Sequence, residues 1–113
     1  MKLISSAELK KIAREGRTAN LAINYTNIEL NRHGVTLLGS PERVGFLIDD
    51  DAKKVIFLPD EKGRKVNYGR GGVVDYRHTA LQRYCATNGG LGRRIKGKYD
   101  KTTNRLIFDL RSK

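Results

Sequence analysis

Between Lys62 and Lys98 stand ten Lys or Arg residues and a single acid, Asp75, so this third of the chain holds +9 of the formal +11. Arginine and lysine at this density donate charge-assisted hydrogen bonds to phosphate, and the glycines among them let backbone amides come close to it. The candidate binding residues are Lys62, Arg64, Lys65, Arg70, Arg77, Arg93, Arg94, Lys96 and Lys98. Tyr84 and Tyr99 fall in phase with apolar neighbours and belong to the core. Tyr68 and Tyr76 remain as candidates for stacking on unpaired bases. The chemistry this pattern implies is recognition of a polyanion, with nucleic acid or a nucleoprotein first among partners.

Other constellations lead elsewhere or nowhere. Gly92-Arg93-Arg94-Ile95-Lys96-Gly97-Lys98-Tyr99 comes within one residue of a phosphate-binding P-loop. The residue after that lysine must offer a small hydroxyl to magnesium, and Tyr99 does not. Asp49, Asp50 and Asp51 are consecutive, so on a strand end their carboxylates point in alternating directions, and the spacing of a calcium loop is missing. His33 and His78 have no Cys or His at ligand spacing. Cys85 lies on the apolar stripe of an expected helix and reads as a small core residue. The acid-x-Lys steps Glu8-Leu9-Lys10 and Asp51-Ala52-Lys53 occur in some nucleases, but here they lack a partnering strand aspartate. No reaction, cofactor or metal is therefore expected; a metal-dependent nuclease is the weakest of the readings.

The elements that must position these residues follow from the apolar pattern. Ser5-Ser6-Ala7-Glu8 reads as a capping box that opens an N-terminal helix over residues 1–17, closed by Gly16. A strand meander occupies 20–59. Leu21 and Ile23 alternate, the phase shifts near Tyr25 to Asn27, and Ile28 and Leu30 continue it. Asn31 to Gly34 reads as a turn, after which Val35 to Leu38 run back against Leu30 and Ile28. Val44–Asp49 and Lys54–Pro59 form a hairpin around Asp50 to Lys53, registered Asp49 with Lys54, Phe46 with Phe57 and Leu47 with Ile56. Both faces of this hairpin are apolar, which calls for cover and predicts a homodimer through residues 44–58.

The basic segment 62–98 includes a short edge strand over Lys65 to Tyr68, a glycine loop, and a helix from Tyr76 to Thr87 with Asp75 as N-cap. A closing hairpin over 94–110 pairs Tyr99 with Leu106, Gly97 with Phe108 and Ile95 with Leu110. Arg94, Lys96 and Lys98 then stand in a row on the outer face, with Asp109 across from Lys96.

The chain's 113 residues suit one domain, residues 1–113, with a core lean in apolar residues at 38% hydrophobic content. One cysteine and no apolar run of signal or membrane-span length predict a cytoplasmic protein. The expected fold class is α+β: a small antiparallel sheet of five or six strands with an N-terminal helix and one inserted helix.

INYTNIELNRHGVTLLGSPERVGFLIDDDAKKVIFLP, starting at Ile23, and GKYDKTTNRLIFDL, starting at Gly97, resemble small proteins carried by phages and mobile elements of Gram-positive bacteria. That resemblance implies interference with host defence, as a protein-directed, anti-CRISPR-like inhibitor of a defence nuclease. The first hairpin region is also similar to AbrB-like swapped-hairpin DNA-binding proteins, whose glycine is followed by alternating aliphatics and a proline. This second likeness implies a DNA-binding regulator.

Overall fold

The computed structural model describes residues 3, 5–7, 19–71, 73–77 and 79–111. In chain order the elements are β1 (Asn20–Ile23), β2 (Asn27–Leu30), α1 (Arg32–Leu37), β3 (Arg43–Asp49), β4 (Lys54–Pro59) and β5 (Arg64–Lys65). A 3-10 turn at Tyr68–Arg70 leads to β6 (Val74–Arg77). Then come α2 (Ala80–Cys85), β7 (Arg94–Lys96), β8 (Lys98–Asp100) and β9 (Arg105–Asp109). The strands make two antiparallel sheets, a four-stranded one in the order β6-β2-β1-β7 and a five-stranded one in the order β5-β3-β4-β9-β8. The architecture is mostly β and replaces the expected α+β arrangement of a single sheet with an N-terminal helix and one inserted helix. The N-terminal helix expected over 1–17 lies largely outside the described residues.

Three local decisions separate this fold from the one the apolar pattern predicts. First, β1 and β2 turn back on each other, with Leu21 opposite Leu30 and Ile23 opposite Ile28. Leu30 thus has its partner before Val35 is reached. Asn31 then acts as an N-cap: its Oδ1 accepts from the Gly34 amide (3.2 Å) and also from the Asn20 amide (2.9 Å). The cap closes the short helix α1 where a strand was expected, and Val35 and Leu38 turn inward together, as helical spacing allows.

Second, residues 74–77 are a strand, pairing with β2 from Leu30 opposite Val74 to Asn27 opposite Arg77. The expected helix therefore begins later. Thr79 is its N-cap, accepting from the Gln82 amide at 3.3 Å, and Asp75 instead accepts from the side chains of Asn27 and Arg77. The helix runs on from Cys85 through a wider turn, Ala86–Gly90, which Gly89 ends at a φ of 85°.

Third, the segment 94–100 divides at Gly97. Residues before it pair with β1 (Leu21 opposite Ile95), and residues after it pair with β9 (Tyr99 opposite Leu106). Consequently Ile95 and Gly97 do not pair with Leu110 and Phe108, and Asp109 lies across from Lys54 rather than Lys96. The crossing joins the two sheets at one side. At the other side an isolated bridge between Asn67 and Val73 joins the chain after β5 to the chain before β6.

Between the sheets lies one apolar core. Leu21, Ile23, Ile28, Leu30 and Ile95 come from the four-stranded sheet, and Val44, Val55, Phe57, Leu106 and Phe108 from the five-stranded one. Phe57 and Phe108 meet edge to face with centroids 5.6 Å apart. Burial of about ten such side chains, at roughly 1.5–3 kcal/mol each, supplies the main driving force. The β3–β4 register is the one the sequence predicts, from Asp49 opposite Lys54 to Phe46 opposite Phe57. Among the described residues no helix is long and apolar enough to cross a membrane.

Candidate nucleic-acid interface

The nine candidate cations do not form one surface. Lys62, in the turn before β5, and Arg64 and Lys65, on β5, are exposed at one edge of the five-stranded sheet, with Arg70 exposed at the end of the 3-10 turn. Lys98 lies on β8, the opposite edge of the same sheet, and Arg94 and Lys96 on β7, an edge of the other sheet. Arg77 ends β6, and its Nε donates to Asp75 at 2.9 Å, which spends part of its charge. Arg93 is half-buried and donates to the Leu110 carbonyl at 2.7 Å, holding the turn before β7 against the end of β9.

The β7–β8 edge is the more coherent group. Arg94, Lys96 and Lys98 alternate with inward-facing or axial residues, so all three are exposed on the outside of the fold while Ile95 is buried. Alternate positions on a strand are spaced by roughly 6.5–7 Å, which separates Arg94 from Lys96 on β7, and Lys98 follows past the Gly97 crossing at the edge of the other sheet. None of the three has an ion-pair partner among the described residues. Their neighbours across β1 are neutral: Lys96 stands opposite Asn20 and Arg94 opposite Ala22. The acids of this sheet, Glu29 and Asp75, stand opposite each other on β2 and β6. Its outer row therefore reads Asp75, Glu29, Ala22, Arg94 from one edge to the other, negative to positive. An anion is drawn to the β7 edge in preference to the β6 edge, where Asp75 and Glu29 offset Arg77.

The β5 edge mixes signs. Arg43, which sequence reasoning left out, stands opposite Lys65 and donates to the Gly63 carbonyl at 3.2 Å. Its neighbours include Glu42, Asp60 and Glu61, which line the same shallow depression. Only the β3–β5 register identifies Arg43 as part of this group, and no local sequence signal carried it. Arg64 lies over the Tyr76 ring, 5.9 Å from its centroid.

The two stacking candidates part company. Tyr76 is only 5% exposed; its ring packs edge-on to Phe46 at 5.8 Å and against Phe57 at 6.1 Å, and its hydroxyl donates to the Val44 carbonyl at 2.9 Å. Burial pushes that hydroxyl up to about 12. It is a core residue and offers no free face to a base. Tyr68 is 52% exposed, and its hydroxyl donates to the Pro41 carbonyl at 2.6 Å, so the ring is both accessible and held in place.

The other groups weighed for chemistry are structural. Cys85 is buried, and burial pushes its thiol up to about 12, which keeps it protonated and unreactive at neutral pH. Asp50 accepts from Lys53 (2.6 Å) and from the Tyr84 hydroxyl (2.8 Å), contacts that hold its carboxyl below the usual range and tie the β3–β4 turn to α2. No group of three metal-ligating side chains converges among the described residues. Comparison with family models, curated proteins and solved structures finds no significant match to the chain.

Proposed function

We propose that this chain is a non-catalytic binding protein whose β7–β8 edge engages the phosphate backbone of nucleic acid. The observation that carries the reading is the run of Arg94, Lys96 and Lys98, all exposed and without an ion-pair partner among the described residues, with a single acid, Asp100, following on β8. Three such contacts give sequence-independent, salt-sensitive binding, with modest affinity at physiological salt. Tyr68 and the β5 cations lie at the other side of the sandwich and serve a ligand long enough to bend around it.

Titration of the nuclease-treated protein with labelled duplex and single strands, over a series of salt concentrations, tests this. Each neutralised duplex phosphate contributes about −0.9 to the slope of log affinity against log salt, so replacing Arg94, Lys96 and Lys98 together with alanine should flatten that slope by roughly 2.7. The circular dichroism melt should be nearly unchanged, because the three side chains lie outside the core. Absence of binding in tens of millimolar salt would overturn the reading. The same row would then be assigned to an acidic protein surface, as expected of a protein-directed inhibitor.

A further inference from the structure

The edge of β3 is incomplete in a way that fits a second copy of this chain. β5 covers only Arg43 and Val44, paired with Lys65 and Arg64. From Gly45 to Asp49 no strand among the described residues lies on that side of β3. The Val44 carbonyl accepts from Tyr76, so it faces away from β4. Backbone groups alternate in direction along an antiparallel strand, so the amides and carbonyls of Phe46 and Ile48 face the same open side.

The side chains there are unusual as well. Phe46, Leu47 and Ile48 are consecutive and 37%, 46% and 37% exposed. Phe46 and Ile48 belong to the inner face, opposite the buried Phe57 and Val55, yet both stay partly exposed although the Phe46 ring meets Tyr76 of β6 edge-on. Leu47 belongs to the outer face. An apolar edge with open hydrogen-bonding groups is a template for another strand.

Charge selects the occupant. At one end of this edge is the turn Asp49-Asp50-Asp51, where Asp50 is paired with Lys53 and Asp49 and Asp51 remain, and at the other are Lys62 and Arg64 together with Asp60, beside Gly45, a net positive group. A two-fold axis through Leu47 lays β3 antiparallel to its copy. Phe46 of each strand then exchanges both backbone hydrogen bonds with Ile48 of the other, and the two Leu47 side chains meet on the outer face. The same operation sets the acidic turn of each copy against Lys62 and Arg64 of the other. Because Val44 is already taken by β5, a register shifted towards it is blocked. We infer that the chain forms a two-fold dimer through β3, joining its five-stranded sheets into one sheet of twice the width.

Sedimentation velocity on nucleic-acid-free protein at tens of micromolar should give twice the mass of one chain. Leu47→Lys places like charges on the axis, and Ile48→Pro removes an amide that faces the open edge and bonds nothing within the sheet. Each should give a monomer with a preserved circular dichroism spectrum. Asp51→Lys and Lys62→Glu should each weaken the dimer and together restore it, an outcome that general unfolding does not produce. A monomeric wild-type protein at these concentrations would overturn the inference. So would a dimer that survives both Leu47→Lys and Ile48→Pro in folded variants.

Discussion

Gly97 lies flat against the ring of Phe108: a Cβ built on residue 97 would come 2.6 Å from a ring carbon. Its amide donates to the Ala19 carbonyl at 2.8 Å, which holds the chain at the point where it leaves one sheet for the other. The missing side chain is a condition for the crossing.

Gly97→Ala should therefore destabilise the fold by about 1–3 kcal/mol, the usual cost of overpacking a filled core. Urea denaturation measures it. Phe108→Leu in the same chain should return part of that loss relative to the sum of the two single changes, since it removes the ring that the new methyl meets. Strict additivity of the two would show that the contact is not what requires glycine here.

Tyr76→Phe should cost about 1 kcal/mol, because the Val44 carbonyl loses a buried donor while the ring packing stays. The salt dependence of nucleic-acid binding should not change. A flattened slope in this variant would mean that Tyr76 contributes to binding despite its burial.

Alkaline pH should destabilise the protein through two identifiable groups. Cys85 and Tyr76 are both raised to about 12 by burial, from ordinary values of 9.0 and 10.0. The fold favours their neutral forms, so the unfolded chain ionises first. Stability is then complete below about 9 and falls as pH rises from 9 through 12. Cys85→Ala should move the onset of that loss upward towards 10, where Tyr76 begins to titrate. Thermal melts across this range, with wild type and variant side by side, give the answer; an unchanged onset in Cys85→Ala would assign the loss to other groups.

Some of this arrangement is legible before any coordinates. The β3–β4 register follows from two matched apolar runs, with Asp49 and Lys54 of opposite charge, on either side of a four-residue turn, and the outward placing of Arg94 and Lys96 follows from a period of two. The helix α1 and the strand β6 are not legible this way, because each is only a few residues long and its partner decides its state. Asn31 caps α1 with an oxygen that also binds Asn20, and Tyr76 is drawn inward by Val44, a residue from the other sheet. One signal is present in the sequence: Thr79 with Gln82 has the spacing of a capping box. Gln82 does not close that box; its amide reaches the carbonyls of Asn24 and Tyr25 instead and fastens the β1–β2 turn. The division of the cations between opposite edges depends on strand order, a property of tertiary structure that no local window contains.

The strand order also sets a timetable. The hairpins β1–β2, β3–β4 and β8–β9 join near neighbours and can form in roughly 1–10 μs. The pairings of β1 with β7 and of β4 with β9 join segments far apart in sequence, from Asn20 opposite Lys96 to Lys54 opposite Asp109. Such closures belong to the millisecond-to-second range. Leu21, Phe57 and Phe108 are covered only when those late strands dock. Until then the nascent hairpins expose both the future core and the Phe46–Ile48 edge, so the hazard of misassembly is concentrated in the interval before β7 to β9 arrive.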